Sequence, residues 1–229
     1  LRENHFKVKC VVRTAPNDLF VYDIFGKDEE VVVGGLAVDI GTTTVSAVLL
    51  NMETGEILAK ASSGNGQIRF GADVINRIIE QQKPGGKKKL QDAVIKETIN
   101  PMIAQMCKSA GIPASHIYRM SVGANTTMNH LFAGINADPV RMEPYIPTFY
   151  KTSLIYVLPV LQSIKINGML SRVFLYNSNL SCTLLPEAYS TSTLGIILLT
   201  SVTFPFYQVL LVHVLIPLCS VFNVQVVQK

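Results

Sequence analysis

Residues 34–150 predict a single α/β lobe built on a mixed sheet, and three observations carry that prediction. Val31–Ile40 is an apolar run suited to a central strand, and the β-branched Thr44–Leu50 and then Ile57–Ala61 follow it across tight turns. Two helical stretches come next. Asp73–Gln82 places Val74, Ile75, Ile78 and Ile79 at helical spacing, and Lys89–Ala110 carries Leu90, Val94, Ile95, Ile99, Ile103 and Met106 on one face. A further strand at Ile117–Val122 and a short helix at Thr126–Phe132 complete the order.

Each boundary has a local cause. Asn51-Met52-Glu53-Thr54-Gly55-Glu56 is a polar turn, so the first three strands read as an antiparallel meander. Pro101 predicts a kink in the long helix, and Gly111 with Pro113 is a stop signal. Residues 1–33 read as a linker with two or three short strands in Phe6–Val33, too little for a domain alone. A meander, a helical crossover, a strand and a helix in this order match the first half of an RNase H-like lobe of the actin/sugar-kinase type. Many α/β domains share that order.

Composition divides the chain. Of the 36 Asp, Glu, Lys and Arg residues among 229, all but Lys165, Arg172, Glu187 and Lys229 precede Thr152. Residues 151–229 form an irregular apolar tail, and Leu194–Val224 is apolar enough for a membrane helix but is interrupted by Pro205, Gln208, His213 and Pro217. Two readings compete for it, a membrane hairpin and a sequence read from the wrong frame, and the second is preferred. A membrane association is expected only if the tail is genuine.

The net charge of +4 is scattered, and the one basic run, Lys87-Lys88-Lys89, reads as a solvated loop leading into a helix. No second basic cluster or aromatic platform accompanies it, so a nucleic-acid partner is not expected. Cys10, Cys107, Cys182 and Cys219 lie far apart without a CxxC pair, which predicts neither a disulfide framework nor a metal site. The first twenty residues are polar and charged rather than signal-like, and a reducing cytoplasm is expected.

Val38-Asp39-Ile40-Gly41-Thr42-Thr43-Thr44 is the motif with the clearest chemistry. An apolar strand delivers a carboxylate to its end, and Gly41 lets the backbone pass close to a bulky anion. Hydroxyls and turn amides can then converge on a triphosphate, with Asp39 near a water-coordinated Mg²⁺. It is not a Walker loop, because GxxxxGK[ST] is absent and a strand follows where a helix would be. An ordinary hairpin rich in threonine is the bland alternative.

The stretch Gly35–Leu50, with Glu53-Thr-Gly-Glu-Ile-Leu-Ala behind it, resembles the phosphate-1 hairpin of the ASKHA superfamily of ATPases. Within it, Asn65-Gly-Gln-Ile-Arg-Phe-Gly-Ala-Asp-Val-Ile-Asn-Arg-Ile, Gly123-Ala-Asn-Thr-Thr-Met-Asn-His-Leu-Phe-Ala-Gly and Met142-Glu-Pro-Tyr-Ile-Pro resemble the corrinoid-protein reductive activators in order and spacing. The resemblance implies that Asp39, Gly41, Thr42, Thr43 and Thr44 line the phosphates of ATP and the Mg²⁺. It places Gly71, Asp73 and Arg77 in a Gly-x-Asp-Val-x-x-Arg stretch with a cleft-facing role, Asp73 as a candidate catalytic carboxylate. A helix N-terminal carboxylate explains Asp73 equally well. Asn125 and Thr126, after a strand and before a helix, are candidate phosphate contacts, and an N-cap would also account for them, Thr127 included. His130 reads as packed rather than catalytic.

The resemblance further implies coupling of ATP hydrolysis to reduction of Co(II) corrinoid to Co(I), with electrons from an upstream 2Fe-2S domain. The expected partner is a corrinoid protein or corrinoid methyltransferase, and the intact family is expected to be a homodimer. Neither the second Asp-x-Gly-Thr hairpin nor the Gly-rich adenosine site follows Lys151, and Cys10 stands alone where ferredoxin cysteines would cluster. The chain is therefore expected to be one lobe of such an activator with a foreign tail. The alternatives are the ATPase that energises 2-hydroxyacyl-CoA dehydratase, or a membrane-anchored interaction protein without ATPase activity.

Overall fold

The computed structural model describes residues 7–15, 18–149, 164, 172–177 and 220–225. Strands β1 (Lys7–Ala15) and β2 (Asp18–Gly26) form an antiparallel pair, followed by β3 (Gly34–Ile40), β4 (Thr44–Asn51) and β5 (Ile57–Gly64). Three helices come next, α1 (Val74–Gln82), α2 (Gly86–Val94) and α3 (Asn100–Ala110), and then β6 (Ile117–Ala124) and α4 (Thr126–Ala133). A one-turn α5 (Asp138–Arg141) and the strands β7 (Arg172–Asn177) and β8 (Ser220–Gln225) complete the described elements.

The main sheet has five strands in the order β5-β4-β3-β6-β7. The meander β3-β4-β5 is antiparallel, while β6 runs parallel to β3 and β7 parallel to β6. A parallel neighbour needs a long crossover, and α1–α3 supply it. This is the mixed RNase H-like lobe expected from the strand and helix order.

Alternation along the strands decides what each sheet face buries. Leu36, Val38 and Ile40 of β3, Val45, Ala47 and Leu49 of β4, and Met120, Val122 and Ala124 of β6 share one core with Leu90, Val94, Ile103 and Phe132 of the helices. Toward the other face, Ala37, Leu50, Met52 and Tyr118 cluster with Val11 and Tyr22, so β1 and β2 lean on the lobe. Tyr118 reaches that second cluster because the β3–β6 register shifts between Gly34 and Gly35, while its neighbour Ile117 stays in the main core.

Three sequence expectations need correction. The run Lys87-Lys88-Lys89 is exposed but lies in the first turn of α2, not in a loop. The α1–α2 turn is tight: Gly85 takes a left-handed φ of 73°, and a Cβ on Gly86 would lie 2.0 Å from the Glu80 carbonyl oxygen. Gly86→Ala, which favours an open helix, is expected here to destabilise the chain by about 1–3 kcal/mol through overpacking. An unchanged or higher Tm would mean that α1 and α2 do not meet this closely.

The second helical stretch, expected as one helix over Lys89–Ala110, is instead two α-helices divided just ahead of Pro101. A wide π-type turn over Ile95–Ile99 joins α2 to α3 and accommodates the missing N–H and the crowding ring. Thr98 bridges this turn, its hydroxyl donating to the Ala93 carbonyl (2.9 Å) and accepting from the Gly66 amide (3.1 Å).

The third correction concerns α1. Its apolar spacing suggests Ile75 and Ile79 as core positions, yet both are exposed and the buried residues are Arg77, Ile78 and Gln81. Two polar side chains are turned inward because each meets backbone partners there. Gln81 donates to the Ile135 carbonyl and accepts from the Ala137 amide, both at 2.8 Å.

The tail boundary expected at residue 150 falls where most residues lie outside those described. Of the stretch beyond it, Ile164 is in the main core, β7 is a sheet edge and β8 pairs antiparallel with β1. The apolar stretch Leu194–Val224 lies outside the described residues except for Ser220–Val224. Among the described residues no helix is long and apolar enough to cross a membrane.

Candidate functional site

The site forms where β3 and β6 end together. Asp39 pairs with Gly123 and Ile40 with Ala124, so the Gly41 hairpin and the Asn125 turn leave the same edge of the sheet. The carboxyl ends of parallel strands are where open α/β sheets bind ligands. Thus Asp39, Gly41–Thr44, Asn125 and Thr126 are brought to one edge.

The hairpin is closed by the Gly41 amide, which donates to the Thr44 carbonyl at 2.9 Å. A Cβ at Gly41 would stand 2.7 Å from that same oxygen, so the turn accepts no side chain there. Its successive carbonyls all point into the protein. Gly41 O accepts from Asn65 Nδ2 (2.8 Å), Thr42 O from Arg77 Nη2 (2.6 Å) and Thr43 O from the Asn65 amide (2.8 Å). In a trans peptide the N–H points opposite to the C=O. Fixing these carbonyls inward therefore turns the amides of Thr42, Thr43 and Thr44 away from the protein, as an anion-binding nest requires. The hydroxyls of these threonines have no hydrogen-bond partner among the described residues, and Thr43 and Thr44 are exposed.

Asp39 lies half-buried on the sheet face opposite Val38 and Ile40. Its cross-strand neighbours are Ser46 on β4 and Gly123 on β6, and the glycine leaves space beside the carboxylate. The carboxylate has no hydrogen bond or ion pair among the described residues, and burial pushes its pKa above the usual carboxylate range.

Asp73 is the N-cap of α1. Its Oδ1 accepts from the Asn76 amide (2.8 Å) and its Oδ2 from Asn76 Nδ2 (2.9 Å), with the residue exposed. Asn125 caps α4 in the same manner, its Oδ1 accepting from the Met128 amide at 2.8 Å. The Thr126 carbonyl accepts from Nδ1 of His130 at 2.7 Å, which fixes that nitrogen as the protonated one. His130 is fully buried, its ring lies 4.5 Å from that of Phe149, and its Nε2 has no partner among the described residues. Desolvation accordingly lowers its pKa, against an opposing contribution from the Thr126 bond. This is a packed histidine.

Asn65 and Arg77 hold the hairpin from beneath, and neither stood among the candidates for phosphate contact. Asn65 is buried at the end of β5, where its Oδ1 also accepts from the Gln67 amide at 2.9 Å. Arg77, expected to face a cleft, is instead fully buried. Both fall inside quoted motif stretches, but a sequence does not reveal that their partners are the hairpin carbonyls.

A family model described as the RACo middle region matches residues 34–172. The corrinoid activation enzyme RamQ of Eubacterium limosum is 37% identical over 120 residues, which is 52% of this chain and 20% of that protein. A solved structure of a reductive activator for a corrinoid, iron-sulfur protein superposes with a TM-score of 0.66 at 34% identity, covering 77% of this chain and 28% of that one. The chain thus spans well under a third of the length of either relative. With 139 of its residues inside that match, the chain belongs to the RACo middle-region family.

Proposed function

We propose that this chain supplies the phosphate-binding lobe of an ATP-dependent reductive activator of corrinoid proteins. The observation that carries the reading is the hairpin after β3, whose carbonyls are bonded inward and whose amides and hydroxyls are left for an anion. The relatives support the reaction class, since one is a corrinoid activation enzyme and the other a reductive activator for a corrinoid, iron-sulfur protein.

In this reading the amides and hydroxyls of Thr42, Thr43 and Thr44 bind phosphate oxygens, and Gly41 keeps the backbone close to them. Asp39 fits a hydrated Mg²⁺, being a half-buried carboxylate with no protein partner among the described residues. A magnesium ion there would offset the triphosphate charge. Asn125 and Thr126 present the start of α4 to the same edge, and Asp73 orders the start of α1. The 2Fe-2S centre that the resemblance implies finds no fit among the described residues. Among the described residues no group of three or more His, Cys, Asp and Glu converges, and Cys10 and Cys107 are buried in separate clusters. Electron delivery is assigned, as the resemblance implies, to an upstream iron–sulfur domain of the activator.

Coupling requires that two states of the activator differ in nucleotide affinity. That difference would make reduction of Co(II) corrinoid to Co(I), on a corrinoid protein or methyltransferase partner, effectively one-way. A titration of the chain with ATP, with and without Mg²⁺, tests the nucleotide part through Tm and phosphate release. A Mg²⁺-dependent rise in Tm with little turnover is expected. No Tm response to any nucleotide would remove the reading, and robust turnover abolished by Asp39→Ala would contradict its single-lobe part.

A further inference from the structure

Arg77 carries a buried charge whose hydrogen-bond partners among the described residues are all neutral. It is fully buried on α1, yet among the described residues no carboxylate is in ion-pair contact with it. Among the described residues its guanidinium donates to neutral acceptors alone: the carbonyls of Thr42 (2.6 Å) and Gly71 (2.8 Å), with Gln67 Oε1 and Met128 Sδ at 3.5 Å. Asp73, one turn back and exposed, opposes the desolvation only in part. Burying a charge without a partner is unfavourable, and an apolar side chain would fill the same volume without that penalty.

The strongest of these bonds points at the site. Thr42 O and the Thr43 amide belong to one peptide unit, so the guanidinium holds that unit with its N–H outward and stands as a positive charge behind it. Gly71 makes the approach possible, because a Cβ there would stand 2.8 Å from Asn76 Cβ and 2.9 Å from the Arg77 amide nitrogen.

We infer that Arg77 is a positioning residue for the nucleotide phosphates, acting through the Thr42–Thr43 peptide without touching the ligand. This rests on the nucleotide reading above. The missing counter-charge is then the bound phosphate itself, across one peptide unit. Ligand binding relieves the buried cation, and the cation in turn favours the ligand.

A purely structural tie between α1 and the hairpin is the competing explanation, and Gln81 is its control. Gln81 lies on the same helix, is equally buried and ties α1 to the Ile135–Ala137 backbone by bonds of similar length. The experiment follows the Thr42–Thr44 amides of the whole chain in ¹H–¹⁵N spectra during titration with tripolyphosphate and with Mg·ATP. Arg77→Met is expected to weaken both ligands by about tenfold or more. Gln81→Met is expected to stay within about twofold of wild type at a comparable loss of Tm. Arg77→Lys, which keeps the charge but not the planar fork, should fall between and serves alone if Arg77→Met does not fold.

Arg77 variants that bind like wild type would overturn the inference while leaving the nucleotide reading intact. Equal losses in Gln81→Met would also overturn it, by reducing the effect to stability. A wild-type chain whose hairpin amides respond to neither ligand would refute the nucleotide reading, and the inference with it.

Discussion

Asp39→Asn is expected to raise the Tm of the nucleotide-free chain at neutral pH while weakening Mg·ATP binding by about a hundredfold. Both effects follow from one placement. The carboxylate is half-buried at the end of β3 without a partner among the described residues, and burial raises its pKa. The folded chain therefore holds this proton to higher pH than the unfolded chain does. The contribution of Asp39 to stability is fully present below the unfolded carboxylate value and is lost as pH rises through the folded value. Above the folded value the group is ionised and works against the fold, and the isosteric amide removes that penalty. The Tm advantage of the variant should vanish in acid and be complete above the folded pKa. Binding responds in the opposite sense, because removing one member of a charge pair costs roughly 2–5 kcal/mol, which spans about thirtyfold to several thousandfold in affinity. Paired thermal unfolding and calorimetric titration across pH check both arms. A variant that is less stable at every pH would show that the carboxylate is paired within the fold, and unchanged Mg·ATP affinity would remove Asp39 from the site.

Much of this lobe is legible in its residues. The meander follows from apolar and β-branched runs separated by polar turns, and β4 begins at Thr44 and β5 at Ile57 as those runs predict. Helix α3 ends at Ala110 because Gly111 takes a left-handed φ of 70°. The order of the elements and the position of the Asp-Ile-Gly-Thr-Thr-Thr hairpin were equally plain. What was not legible has a common physical form. The start of α2 depends on how closely Gly86 approaches the Glu80 carbonyl, and the inward turn of α1 depends on Arg77 and Gln81 finding carbonyls. A backbone carbonyl is carried by every residue, so no residue type marks it as a partner. Arg77 lies 35 positions from Thr42, and Asn65 lies 24 from Gly41. Apolar spacing in α1 does not say which of its isoleucines face the core, and Ile75 and Ile79 are exposed while Ile78 is buried.

Asn65→Asp should be the most damaging single-group change at the hairpin. It replaces one NH₂ by oxygen without altering volume. The Asn65 side chain is buried, with Oδ1 accepting from the Gln67 amide at 2.9 Å and Nδ2 donating to Gly41 O at 2.8 Å. An introduced carboxylate keeps the first bond but sets an oxygen against the Gly41 carbonyl. The result is a buried carboxylate that has lost its bond to Gly41 O and faces that carbonyl instead, a penalty of about 3–5 kcal/mol less whatever the Arg77 cation beneath the same hairpin returns. The Gly41–Thr42 peptide loses its inward anchor, and the negative charge lies behind amides that are to receive phosphate, so anion binding should be lost together with stability. The two losses should part company with pH. Protonated, the new group can again donate to Gly41 O, so its folded pKa is raised. Stability approaches that of wild type below the ordinary carboxylate value and falls as pH rises through the folded value. Asn65→Ala separates the charge from the missing bond, since it leaves Gly41 O and the Gln67 amide unpaired, at about 1–3 kcal/mol each, with no dependence on pH. Unfolding curves for both variants between acid and neutral pH decide the matter. An Asn65→Asp chain as stable as wild type at neutral pH would mean that the hairpin carbonyl is not held from beneath, and the outward nest of amides would lose its support.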